Sequence, residues 1–183
     1  MQISTTSFDP LQIATDALIV PIGASDKTAQ PTALVSAIDT ALGGELGRFM
    51  TDTAFAAKKG STLSFATAGR ISARRIVLAG LGSDPVSTEA LRRAYGAATT
   101  VARDAGAKTV HLVLPDASPV AAAGAAAEAA LLATYRFTTY YGTARKDDPA
   151  PKEIDSLVIA SGEGVGAGVD RGIARGNAIR LTR

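Results

Sequence analysis

The sequence has no cysteine, no tryptophan and a single histidine among its 183 residues. Without cysteine there are no disulfides, no thiolate metal sites and no cysteine nucleophile. A lone imidazole, His111, excludes the zinc sets that draw on several histidines, and any Ser-His-Asp triad would have to use His111 itself. Charge of one sign is also scarce. With 19 basic and 17 acidic residues the net charge is +2, too little for a strong field that steers nucleic acid. Met1 to Phe8 has no basic segment followed by an apolar one and does not read as a signal peptide. The most apolar stretch, Pro119 to Ala133, is mostly alanine, is interrupted by Glu128 and falls short of the roughly 20 residues a spanning helix needs. A cytoplasmic chain with no membrane partner is the expectation.

What is present is the composition of a folded domain, 46% hydrophobic and 20% charged. Asp16 to Ile22 and Arg74 to Leu81 are continuous apolar runs, the pattern of strands covered on both faces. Thr109 to Pro115 and Ile154 to Ala160 read as two further strands, Ser61 to Thr67 as a weaker one and Ile3 to Phe8 as an edge strand. Leu34, Val35, Ile38, Ala41 and Leu42 recur at helical spacing from Thr32 to Leu42, and Gly43-Gly44 should stop that helix. Ser87 is placed to cap a helix running to Ala105, Pro119 opens an alanine-rich helix to about Phe137, and a last helix runs from Val165 to Arg183. Strands alternating with helices predict one α/β sandwich with a largely parallel or mixed sheet. Gly142 to Pro151 reads as an exposed loop. The last helix reaches Leu181-Thr182-Arg183 without a stop signal, which suggests that more protein follows.

The motifs that could carry chemistry have plain structural readings. Gly162 to Gly168 contains a GxGxxA match between a strand and a helix, but too few residues follow for the second strand of a dinucleotide fold, so a loop and helix entry is expected. Gly80-Leu81-Gly82-Ser83-Asp84-Pro85 has proline where a third glycine should stand and reads as a tight turn. His111 lies in a strand between apolar neighbours and reads as a packed side chain. Asp147, Asp148, Glu153 and Asp155 read as solvated rather than as a hard-metal site. The pairs Lys58-Lys59, Arg74-Arg75, Arg92-Arg93 and Arg145-Lys146, with Arg171, Arg175, Arg180 and Arg183, form no clean stripe. The cluster Tyr135-Arg136-Phe137-Thr138-Thr139-Tyr140-Tyr141 reads as a packed helix end. No catalytic, cofactor-binding or metal-binding residue is assigned.

Read in order, Asp16-Ala17-Leu18-Ile19-Val20, Asp39 to Gly44, Phe55 with Lys59-Gly60, Arg74 to Gly82, Leu91 to Ala98, and Glu128 to Phe137 followed by Tyr140 are successive blocks of a known pattern. The chain resembles the N-terminal domain of leucyl aminopeptidase, the cytosol aminopeptidase family. The resemblance implies a macrodomain-like three-layer sandwich spanning residues 1–183, with 165–183 as the start of a helix linking to a catalytic domain. It also implies a hexameric, cytoplasmic parent whose catalytic domain holds two divalent ions, manganese or zinc, and removes N-terminal residues from peptides. The family's metal ligands and its Asn-Thr-Asp-x-x-Gly-Arg signature have no counterpart here, so the chain alone should be inactive. Its own part would be assembly and access to the active site. Two alternatives come from the same resemblance: binding of ADP-ribose or another nucleotide, and weak DNA binding. Against the first, the strand from Asp16 ends in Pro21-Ile22-Gly23-Ala24, where ligand-binding macrodomains place asparagines.

Overall fold

A computed structural model describes residues 1–26, 28–83, 85–116, 118–135 and 152–182. In chain order the elements are β1 (Gln2–Thr6), β2 (Ala17–Ser25), β3 (Thr28–Gln30), α1 (Ala33–Ala41), α2 (Glu45–Asp52), β4 (Thr62–Ala66), β5 (Arg75–Ser83), α3 (Thr88–Asp104), β6 (Thr109–Leu112), α4 (Pro119–Thr134), β7 (Ser156–Ala160) and α5 (Val165–Leu181). The sheet runs β1-β7-β6-β2-β5-β4, with β3 paired to β2. Neighbours from β1 to β5 along this order are parallel, whereas β4 and β3 run antiparallel to β5 and β2. The expected α/β fold with a mixed, largely parallel sheet is what forms.

Helices cover both faces and make three layers. Ala17, Ile19, Val77, Ala79, Val110 and Leu112 point to the side of α3, α4 and α5. Their alternates Leu18, Val20, Ile22, Ile76 and Leu78 point to α1 and α2. Burial on both faces is why β2 and β5 are apolar without alternation. Nearly every side of α4 is buried, which alanine allows because it fills little space between the sheet and two flanking helices. Its one charged residue, Glu128, is 6% exposed, and its Oε1 lies 3.0 Å from Arg92 Nε on α3.

One local reading is corrected, and two short elements appear that the sequence did not announce. Gly43-Gly44 stops α1 as expected, and with φ of +70° and +79° it turns the chain into a further two-turn helix, α2, that the sequence did not announce. Asp39 Oδ1 accepts the Gly47 N–H at 2.8 Å and Arg70 donates to Leu42 C=O at 2.8 Å, so the corner is held by polar contacts that helical periodicity does not reveal. β3 is too short to carry a pattern. The expected tight turn at Gly80 to Pro85 is instead a continuation of β5 through Ser83, with a bulge where β2 passes from Ile22 to Gly23. The last helix places Val165, Val169 and Ile173 in the core that also holds Ile3, Leu157 and Ile159, and packs on α4 with Gly168, Gly172 and Gly176 against Val120, Gly124 and Leu131. Arg180 sits over the Tyr135 ring, 5.2 Å from its centroid.

At the opposite end of the sheet Asp16 joins three strands. Its carboxylate accepts the N–H groups of Lys108 and Thr109 at 2.9 Å each and the Thr109 hydroxyl at 3.1 Å, and Arg74 lies 3.3 Å away. The Thr109 N–H above all, then the Lys108 N–H, the Thr109 hydroxyl and Arg74, outweigh burial and hold this carboxyl below its usual range. Asp16→Ala is expected to cost about 2 kcal/mol at neutral pH, since bonds to a charged acceptor disappear together. A group with a depressed folded pKa stabilises above its unfolded value of about 3.9 and loses that contribution as pH falls through the folded value. Urea melts of both chains should therefore differ at pH 7, with a gap that begins to narrow only as the pH falls below about 4. A gap that stays constant on acidification would remove the carboxylate from this role.

Candidate functional site

Parallel α/β sheets offer a ligand crevice where connections leave neighbouring strands toward opposite faces, at the carboxyl ends of those strands. Here that place lies between β2, which leads through β3 to α1 on one face, and β6, which leads to α4 on the other. Within the β2–β6 ladder, Ala17 and Ile19 turn their backbone groups toward β6, and Val113 N–H donates to Ile19 C=O at 2.9 Å. The next residue of β2 on that edge is Pro21, which has no N–H, and the next donor opposite would be residue 115, also a proline. The ladder cannot continue, and β3 takes up the same edge only from Gly23 onward.

The gap opens into a cavity of about 320 Å³. Val20, Pro21 and Leu81 form a buried floor, while Leu34, Val113 and Leu114 are half-buried walls. Thr32 and Asp116 are exposed at the rim. Two bonds fix the walls. Tyr95, fully buried on α3, donates its hydroxyl to Val113 C=O at 3.2 Å, the carbonyl that Pro21 cannot serve. Burial pushes the Tyr95 phenol far above its ordinary range, so it remains a donor. Thr32 caps α1 by accepting the Val35 N–H at 3.3 Å, and its C=O takes the Ser36 N–H at 2.9 Å.

The residues flagged in the sequence lie elsewhere. The glycines of the GxGxxA match, Gly162 and Gly164 (φ +69°), form the loop and entry of α5, with the side chains of Val165 and Val120 at 3.3 and 3.2 Å from their would-be Cβ atoms, and Gly168 just beyond packs on the Val120 carbonyl. Gly80 and Gly82 are occupied by the segment Ala57-Lys58-Lys59, with Gly82 N–H donating to Ala57 C=O at 2.9 Å. His111 packs edge-on to Phe8 at 4.9 Å, and burial moves its pKa down, which favours the neutral ring. Arg93 pairs with Glu89 at 2.7 Å, Arg92 with Glu128, and Arg75 donates to the Ser64 hydroxyl at 2.9 Å. Glu153 and Asp155 are exposed. Asp147, Asp148, Arg145, Lys146, Arg183, the loop Gly142 to Pro151 and the aromatics after Tyr135 lie outside the described residues. Among the described residues, no three His, Asp or Glu side chains come together as a metal site, and no helix is long and apolar enough to cross a membrane. The cavity itself was not read from the sequence. Its signal was there, in a proline within an apolar strand and another just past the end of its neighbour.

Comparison with known proteins gives concordant matches. Residues 19–142 match the family described as "Cytosol aminopeptidase family, N-terminal domain". A protein named "Probable cytosol aminopeptidase" from Syntrophotalea carbinolica is 34% identical, over 100% of this chain but 38% of its own length. A mutant of tomato leucine aminopeptidase superposes with a TM-score of 0.78 at 21% identity, covering 99% of this chain and 36% of that one. The macrodomain of Mycobacterium tuberculosis DarG superposes at 0.60 with 10% identity, covering 88% of this chain and 99% of its own, a likeness of fold alone.

Proposed function

We propose a role that proceeds from the chain's family: it belongs to the cytosol aminopeptidase family and corresponds to that family's N-terminal domain. The chain is then the non-catalytic part of a longer, cytoplasmic metallo-aminopeptidase. Residues 1–183 form its N-terminal domain, and α5 begins the helix that leads to the catalytic domain. In this reading the domain shapes access to the active site and contributes to a homohexamer. Support comes from one observation above all, that the match takes in 100% of this chain but only 38% of a relative named as a probable cytosol aminopeptidase.

The parent's two divalent ions, manganese or zinc, belong to the catalytic domain. The described residues do not fit them, because their carboxylates are dispersed or engaged as Asp16 and Glu128 are. The purified chain should therefore leave leucine p-nitroanilide unhydrolysed with either metal added. Turnover that rises with purity would overturn the assignment. The macrodomain likeness does not make ADP-ribose the better reading, since β2 presents Pro21, Ile22 and Gly23 at the crevice and Asp116 sets a negative charge at the rim. DNA binding has less support still, with Arg75, Arg92 and Arg93 already partnered.

A further inference from the structure

We propose that the cavity between the carboxyl ends of β2 and β6 binds a free apolar α-amino acid of about the size of leucine. The inference concerns this domain's own chemistry and stands whether or not the parent is an aminopeptidase. Its volume, about 320 Å³, lies at the small end of the roughly 300–1,000 Å³ typical of ligand sites, so the occupant is small. The buried floor of Val20, Pro21 and Leu81 and the wall of Leu114 ask for an aliphatic body.

The polar groups at the mouth are of two kinds and stand on different elements. The first is donors: with Thr32 Oγ1 taking the Val35 N–H, the N–H groups of Ala33 and Leu34 are left without acceptors inside α1, and both residues line the cavity. The second is acceptors. Pro21 C=O points along the edge where Pro115 has no N–H to give, and the Asp116 carboxylate stands at the rim. A zwitterion satisfies both sets. Its carboxylate takes the α1 amides, its ammonium goes to Pro21 C=O and Asp116, and its side chain enters the apolar floor. Binding would replace the ladder rung that the two prolines remove. A pyrophosphate, by contrast, would meet Asp116 as a like charge.

The test is titration of the purified, isotope-labelled chain with L-leucine, followed by amide chemical shifts. Saturable shifts at Gly23, Ala33, Leu34, Leu81 and Leu114 are expected, and no saturation by about 10 mM would overturn the proposal, since that range reveals even a millimolar site. On the unaltered chain, N-acetyl-leucine and leucine amide, each lacking one charge of the zwitterion, should bind about tenfold more weakly, as should Asp116→Asn with leucine. Asp116 is exposed, so its melting temperature should stay that of the parent chain. Equal binding of N-acetyl-leucine, or tighter binding of ADP-ribose at the same residues, would assign the cavity to another ligand class.

Discussion

Gly172→Ala is expected to destabilise the chain by about 2 kcal/mol or more, although alanine is the better helix former by about 1 kcal/mol. A Cβ at this position would overlap the Gly124 carbonyl oxygen and meet the Ala127 Cβ. The obstacle is backbone, which cannot rotate away as a side chain can. The helices must then separate, and Gly168 against Val120 and Gly176 against Leu131 would lose contact with them. That seam holds α5 in place, because its contacts are chiefly with α4 and, to a lesser extent, β1. The control lies six residues earlier on the same helix. Gly166 is exposed with nothing within 4 Å of its would-be Cβ, so Gly166→Ala should be neutral or stabilising by up to about 1 kcal/mol. Thermal melts of the two variants should move in opposite directions. Equal shifts would mean that α4 and α5 are not packed backbone to backbone.

Leu78→Asp should abolish cooperative folding. Leu78 is 0% exposed in the middle of β5, opposite Val20 of β2 and Leu63 of β4. Removing its side chain alone forfeits about 2–5 kcal/mol. The carboxylate adds several more, since it would be placed among the apolar side chains of that cluster. The sum is comparable with the whole stability of a domain, about 5–15 kcal/mol. Circular dichroism should show no sharp transition for the variant at pH 7. A cooperative melt within a few degrees of the parent chain would show that β5 is not the centre of the sheet.

How much of this was legible from the sequence varied from element to element. β2 and β5 announce themselves because both faces are buried, so every residue must be apolar. α3 carries its own start signal, and Ser87 does accept the Ala90 N–H at 3.1 Å. The family resemblance rested on the same conspicuous blocks, and residues 19–142 carry it. α2 was missed because only Leu46 and Met50 are buried in its two turns, too few to establish a period. The segment Gly162 to Gly168 was read as a loop and helix entry, and the packing of Gly168 and Gly172 on α4 went unread, since a glycine's meaning depends on what approaches it.

The sequence by itself determined the class of fold and the central strands, because these follow from composition and from periods of two and 3.6 residues that each segment carries alone, and it pointed to the family through the order of its residue blocks. Only the tertiary structure decided where those segments meet. It put Gly172 against Gly124 and Glu128 beside Arg92. It set Asp16 beneath the start of β6, and it brought Pro21 and Pro115 to the same rung so that the ladder ends in a cavity. Each of these is a contact between residues far apart in the chain, fixed by the register of strands and the approach of helices, and no local pattern encodes that distance.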